Sequence, residues 1–128
     1  MDIKVKISTL WIVVMFNMVI ADILSFITPG VLAEMMTGYA GEMQITQGML
    51  LGFAILLEIP IMMIFLSRSL NYKANRRANI IAPIITILFV VGGGSAHLHY
   101  LFFATVEVIC MLFIMWTAWK WTGSESLS

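Results

Sequence analysis

Three carboxylates stand deep in apolar sequence. Asp22, Glu58 and Glu107 each lie inside a long hydrophobic run, Glu107 near the middle of "ATVEVICMLFIMW", and Asn17 shares the first run with Asp22. A charge at the centre of a bilayer costs about 2.5–3.5 kcal/mol on insertion scales, so such residues turn towards a bundle interior or a wet cavity. There a carboxylate can take up a proton or a cation, hold a ligand, or serve as a general acid and base. No Lys or Arg lies at their depth, so at least one carboxyl is expected to be uncharged. Helical spacing extends the set. Positions eleven apart nearly eclipse on a helix, which puts Gln47 and Glu58 on one face with Leu51, Ala54 and Met62. Tyr100, Ala104, Glu107, Met111 and Ala118 form a second face, and Asp22 with Ser25 a third. At 1.5 Å rise per residue the three carboxylates fall near one level on three helices. They are expected to meet in one polar site joined by Asn17, Gln47, Tyr100 and His99.

Metal and cofactor chemistry have weaker support. His97 and His99 precede the last apolar run and could cap a cavity mouth or relay protons. They lie ten and eight residues before Glu107, roughly 12–15 Å along a helix, so no metal site is expected. Eleven methionines form no compact Met-x-x-Met array and read as gap-fillers. Cys110, the single cysteine, reads as a packing residue. "GGGS" at 92–95 lacks the Lys-Ser/Thr of a phosphate loop, so it reads as a flexible end to a helix and the cofactor is left unassigned.

The elements that must position these residues are membrane spans. The chain has 128 residues, 61% hydrophobic and 11% charged, against about 25% charged in soluble domains. Its mean hydropathy is +0.99. A soluble core of this length could not bury so much apolar surface. Runs of about 20 residues cross the hydrocarbon core as helices. Spans are predicted at about 8–28, 45–67, 78–94 and 100–121. Together they make one all-α domain, 1–128, a four-transmembrane-helix bundle. The first run exceeds a signal-peptide core and is followed by no Ala-x-Ala site, so it reads as a retained anchor. Zero net charge makes nucleic acid an unexpected partner; the lipid bilayer is the expected one.

All seven basic residues, Lys4, Lys6, Arg68, Lys73, Arg76, Arg77 and Lys120, fall on one side of an alternating four-span chain. The positive-inside rule puts both termini and the 68–77 loop in the cytoplasm. Trp11, Trp116, Trp119 and Trp121 are expected as interfacial anchors at that side. On the other side Thr28 and Pro29 are expected to start a short interfacial helix. "GMLLG" at 48–52 is a small-xxx-small motif expected to pack within the bundle, with a homodimer as the other use. Pro60 is expected to loosen the backbone beside Glu58. Thr86 is the main polar group expected in the third span, and the tail from Thr122 is expected to be disordered.

The segments "WIVVMFNMVIADILSF", "LLEIPIMMIFLSRSLNYKANRRANIIAPI" and "HYLFFATVEVICMLFIMWTAWKW" resemble an uncharacterised bacterial family of small four-helix membrane proteins, broadly similar to DoxX-like proteins in size and topology. The resemblance implies a bundle in the cytoplasmic membrane and sets Asp22, Glu58 and Glu107 among patterned polar positions. It implies no activity. The residues themselves favour a protein that binds or transports a proton, a cation or an amphiphilic small molecule. The alternatives are a non-catalytic accessory subunit and an enzyme using carboxylate acid–base chemistry on a lipid-soluble substrate.

Overall fold

A computed structural model describes residues 2–40, 42–93 and 97–122. The elements in chain order are α1 (Ile3–Ile27), α2 (Val31–Met35), β1 (Tyr39–Ala40), β2 (Met43–Gln44), α3 (Gln47–Ser69), α4 (Tyr72–Gly92) and α5 (Leu98–Lys120). The fold is all-α apart from the hairpin β1–β2, which pairs Tyr39 with Gln44 and Ala40 with Met43. Helices α1, α3, α4 and α5 are long and apolar enough to cross a membrane. Their 21–25 residues rise roughly 31–38 Å, beyond the ~30 Å of a hydrocarbon core.

Two helices begin a turn or more before the predicted spans. α1 starts at Ile3 rather than 8, because the Asp2 carboxylate accepts from the Lys4 amide and caps it. α4 starts at Tyr72 rather than 78, because the Asn71 side chain accepts from the Ala74 amide at 3.0 Å. Side-chain caps satisfy the first orphan N–H groups of a helix, and these lie beyond the apolar residues that define a span. Lys4, Lys6, Lys73, Arg76 and Arg77 are therefore helical.

The four long helices close a ring in chain order: α1 packs on α3 and α5, and α4 packs on the same two. One end of the bundle, here the basic end, holds the start of α1, the α3–α4 turn and the end of α5, and with them all seven Lys and Arg. The opposite, acidic end holds α2, the hairpin, Glu34 and Glu42.

The basic half is filled. Ile7, Trp11, Val14, Met111 and Ile114 are all buried there, around polar residues that pair with one another. The Trp11 indole Nε1 donates to Asn79 Oδ1 at 2.7 Å, across the ring from α1 to α4. Ser67 Oγ reaches the same oxygen at 3.3 Å. Asn79 Nδ2 donates to Asn75 Oδ1 at 2.6 Å, and Asn75 Nδ2 to the Ser67 carbonyl at 2.7 Å. Ser8 Oγ donates to the Ile64 carbonyl at 2.7 Å and accepts from Arg68 Nε at 3.3 Å. These bonds form a polar clasp over α1, α3 and α4. Thr86 is therefore not the main polar group of its span. Its hydroxyl is spent on the Ala82 carbonyl of its own helix, whereas Asn75 and Asn79 are the buried polar residues that reach other helices.

The tryptophans divide. Trp116 and Trp119 are exposed, but Trp11 and Trp121 are buried and are core residues, not interfacial anchors. Arg76 closes α5 from α4: its Nε and Nη2 donate to the Ala118 and Trp119 carbonyls, both at 3.0 Å. Tyr72 donates to the Trp121 carbonyl at 2.9 Å.

At the acidic end the short helix exists, but Thr28 does not start it. Thr28 ends α1, its amide and hydroxyl both bonding the Leu24 carbonyl. Gly30, at φ 87°, leads into α2. α4 ends at Gly92, where the Gly93 amide bonds the Phe89 carbonyl. The stretch 94–96 and the tail from Gly123, both expected to be irregular, lie outside the described residues.

The inward side of α3 differs from the predicted one. Gln47, Leu51, Ala54, Glu58 and Met62 are all exposed, and the buried residues are Pro60, Met63 and Ser67. In lipid, the side of a helix facing tails is as apolar as the side facing other helices, so the hydrophobic pattern does not choose between them. The clasp through Ser67 does. Nor do the two glycines of "GMLLG" pack inside the bundle: a Cβ added at Gly52 would meet nothing within 4 Å, and one at Gly48 only the Thr46 hydroxyl at 3.9 Å.

Candidate functional site

The acidic half of the bundle holds a cavity of about 400 Å³ walled by all four long helices. Met18, Ala21 and Phe26 line it from α1, Met49, Phe53 and Leu57 from α3, and Phe89 and Val90 from α4. Met35 of α2 and Ala40 of β1 complete the wall at the acidic end. Against this apolar lining stand three ionisable groups: Asp22 from α1, with Tyr100 and Glu107 from α5. No Lys, Arg or His is among the lining residues.

Helical spacing places these groups. Met18, Ala21, Asp22 and Phe26 fall at i, i+3, i+4 and i+8, one stripe of α1. Tyr100 and Glu107 are seven residues apart, two turns along one face of α5. That face is the predicted one: Glu107, Met111 and Ala118 are buried, and Tyr100 and Ala104 are half-buried. The Tyr100 hydroxyl donates to the Val90 carbonyl at 2.9 Å and pins α5 to α4, and its oxygen keeps acceptor capacity. Glu107 is only 3% exposed, and no hydrogen bond to its carboxyl or to that of Asp22 is present among the described residues.

The remaining predicted site residues are not in the lining. Glu58 is the middle residue of α3 and lies on its exposed side, as does Gln47. Asn17 is half-buried and donates to the Val13 carbonyl of its own helix at 2.7 Å. His99 lies at the acidic end of α5, where its Nε2 is 3.3 Å from Ser25 Oγ. Ser25 commits its own hydrogen to the Ala21 carbonyl at 2.9 Å, so His99 Nε2 is the donor in that pair. The bond ties α1 to α5 one turn beyond Asp22. The His97 ring stacks on His99 with centroids 5.6 Å apart. Among the described residues, no three His, Cys, Asp or Glu side chains gather in a metal-binding group.

Of the predicted carboxylates, Asp22 and Glu107 line one cavity and Glu58 does not. From the midpoints of their helices, Glu107 and Asp22 lie roughly 3 and 10 Å towards the acidic end. The aromatic and methionine walls, Phe53, Phe89, Met18 and Met49, were not singled out in the sequence. Only their depth opposite Asp22 and Glu107 distinguishes them from the Phe and Met residues that face outward. The arrangement offers two carboxyls and a phenol oxygen as hydrogen-bonding groups inside an apolar enclosure.

The chain belongs to DUF6326, a family of unknown function, whose model matches residues 2–128. No curated protein and no solved structure matches it.

Proposed function

We propose that this member of the family is a multi-pass protein of the cytoplasmic membrane, both termini in the cytoplasm, that binds a small organic cation or cationic amphiphile between its long helices. The observation that carries the reading is Glu107: a carboxyl 3% exposed, with Asp22 and Tyr100 also in the wall of a cavity that is apolar elsewhere and has no Lys, Arg or His among its lining residues. Electrostatic attraction strengthens in low dielectric, and a buried charge without a partner is strongly unfavourable. A ligand with a positive head and an apolar body meets both demands. Its head pairs with Asp22 and Glu107 and its body covers Phe53, Phe89 and Met18. Ligand sites are typically apolar enclosures with a few convergent polar groups, and several hundred Å³ suits a small molecule. The filled basic half supports binding from the acidic end over a continuous path through the bundle. The resemblance to DoxX-like proteins is one of size and topology and carries no part of this reading.

Tetraphenylphosphonium, a permanent cation with an apolar shell, is the probe. Its binding to the purified protein in lipid nanodiscs is expected to weaken at least tenfold in Glu107→Gln and in Asp22→Asn, about 1.4 kcal/mol. Glu58→Gln, outside the cavity, should match the unaltered protein. Equal affinity in all four proteins would remove the cavity carboxyls from the site and the proposal with them.

A further inference from the structure

Glu58 is left over from the site, and its position is unfavourable for a lone chain. It is the middle residue of α3, it is exposed, and no hydrogen bond or ion pair to it is present among the described residues. An ionisable side chain on a lipid-facing surface at mid-span is the placement that membrane helices avoid; such residues are found against protein or water. α3 is also the least covered of the four long helices: 11% of its most apolar stretch is buried, against 22–33% for the others. Around Glu58 the uncovered side runs through Gly48, Leu51, Gly52, Ile55 and Met62, which at 100° per residue occupy about a third of the circumference. Leu51 and Ile55 are 62% and 60% exposed. A Cβ added at Gly52 would meet nothing within 4 Å.

We infer that this side of α3 is a homodimer interface, with Glu58 of one protomer facing Glu58 of its partner across a two-fold axis normal to the membrane. A two-fold interface sets each residue of its central line opposite itself, so a second copy brings a polar group to the depth where one is needed. One carboxyl donates its O–H and the other accepts. Gly48 and Gly52, one turn apart, let the backbones approach as small residues do between membrane helices. All seven basic residues lie at one end of the bundle, so copies insert with the same orientation and pair in parallel, as the matched depth requires. The interface lies on the side of α3 away from Met49, Phe53 and Leu57, which line the cavity, so dimerisation and ligand binding are separable.

Disulfide trapping tests the interface in liposomes that contain this protein alone. In a Cys110→Ser background, oxidised Ile55→Cys is expected to give a covalent dimer. Phe16→Cys on α1 and Ile109→Cys on α5, equally exposed to lipid, are expected to give at least tenfold less. Gly52→Leu, added to Ile55→Cys, should cut the dimer at least tenfold while leaving the melting temperature of the protomer unchanged, since its side chain enters open space. Glu58→Leu should cut it similarly. Trapping at Ile55 no stronger than at Phe16, or trapping indifferent to Gly52→Leu, overturns the interface. So does a purified protein that stays monomeric while Ile55→Cys in native membranes couples to a different protein.

Discussion

Among single residues, Asn79 does the most to hold the bundle together. Its Oδ1 takes the Trp11 indole N–H and the Ser67 hydroxyl, and its Nδ2 donates to the Asn75 side chain. Removing it leaves buried donors on two other helices without acceptors, and each such orphan costs about 1–3 kcal/mol. Asn79→Ala is therefore expected to lower stability by about 2 kcal/mol or more in a denaturing-detergent titration. Trp11→Phe, which removes one donor and keeps most of the ring, should be milder, and in combination the two losses should sum to less than their separate values. Thr117 gives the opposite expectation. Its hydroxyl is buried with no partner among the described residues, so Thr117→Val removes an unsatisfied group at constant shape and should be neutral or stabilising by up to about 1 kcal/mol. A marked loss in Thr117→Val would mean that the hydroxyl has a partner.

The elements show why some of this was legible in the sequence and some was not. Four spans could be read because lipid demands a length and a composition that little else produces. Asp22, Tyr100 and Glu107 could be singled out because polar groups stand out against apolar neighbours. The inward side of α3 could not be read, because Leu51, Ile55 and Met62 on the outside are as apolar as Leu57, Met63 and Ile64 on the inside. Asn75 and Asn79 were hidden for another reason. Asn75 sits among Lys73, Arg76 and Arg77, which read as a solvated loop until the Asn71 cap shows the helix beginning before it, and Asn79 stands at the very start of the predicted third span, beside those bases. Glycines make the same point about context. Gly30 and Gly38 hold φ of 87° and 92° on either side of α2, where a Cβ costs about 1–2 kcal/mol. Gly52 lies inside a regular helix, where alanine is about 1 kcal/mol more favourable. Gly30→Ala and Gly38→Ala are expected to speed amide exchange at Val31 and Ile45, which anchor the cap over the cavity, and Gly52→Ala should leave it unchanged. Identical exchange in all three variants would show that the left-handed turns do not hold the cap.

At the scale of the whole molecule, charge and cavity are segregated along one axis. The basic end is closed by the Trp11–Asn79 clasp and by Arg76 on the end of α5. It presents its bases beside aromatic rings: Lys120 over Trp116 at 4.4 Å and Lys6 over Phe113 at 5.0 Å. Such cation–aromatic pairs suit a headgroup region, where one side of the ring is apolar and the other wet. The open cavity lies in the other half, under α2 and the hairpin. Insertion with the bases in the cytoplasm would turn the cavity towards the outer face, so a ligand would arrive from outside or from the outer leaflet. This orientation has a direct check in a Cys110→Ser background. Glu42→Cys, exposed in the turn between β1 and β2, is expected to react with a membrane-impermeant maleimide in intact cells. Lys73→Cys, exposed at the basic end, should react only after the membrane is opened. The reverse pattern would keep the bundle and its cavity but place the site in the cytoplasmic half, where the ligand would have to be an intracellular cation.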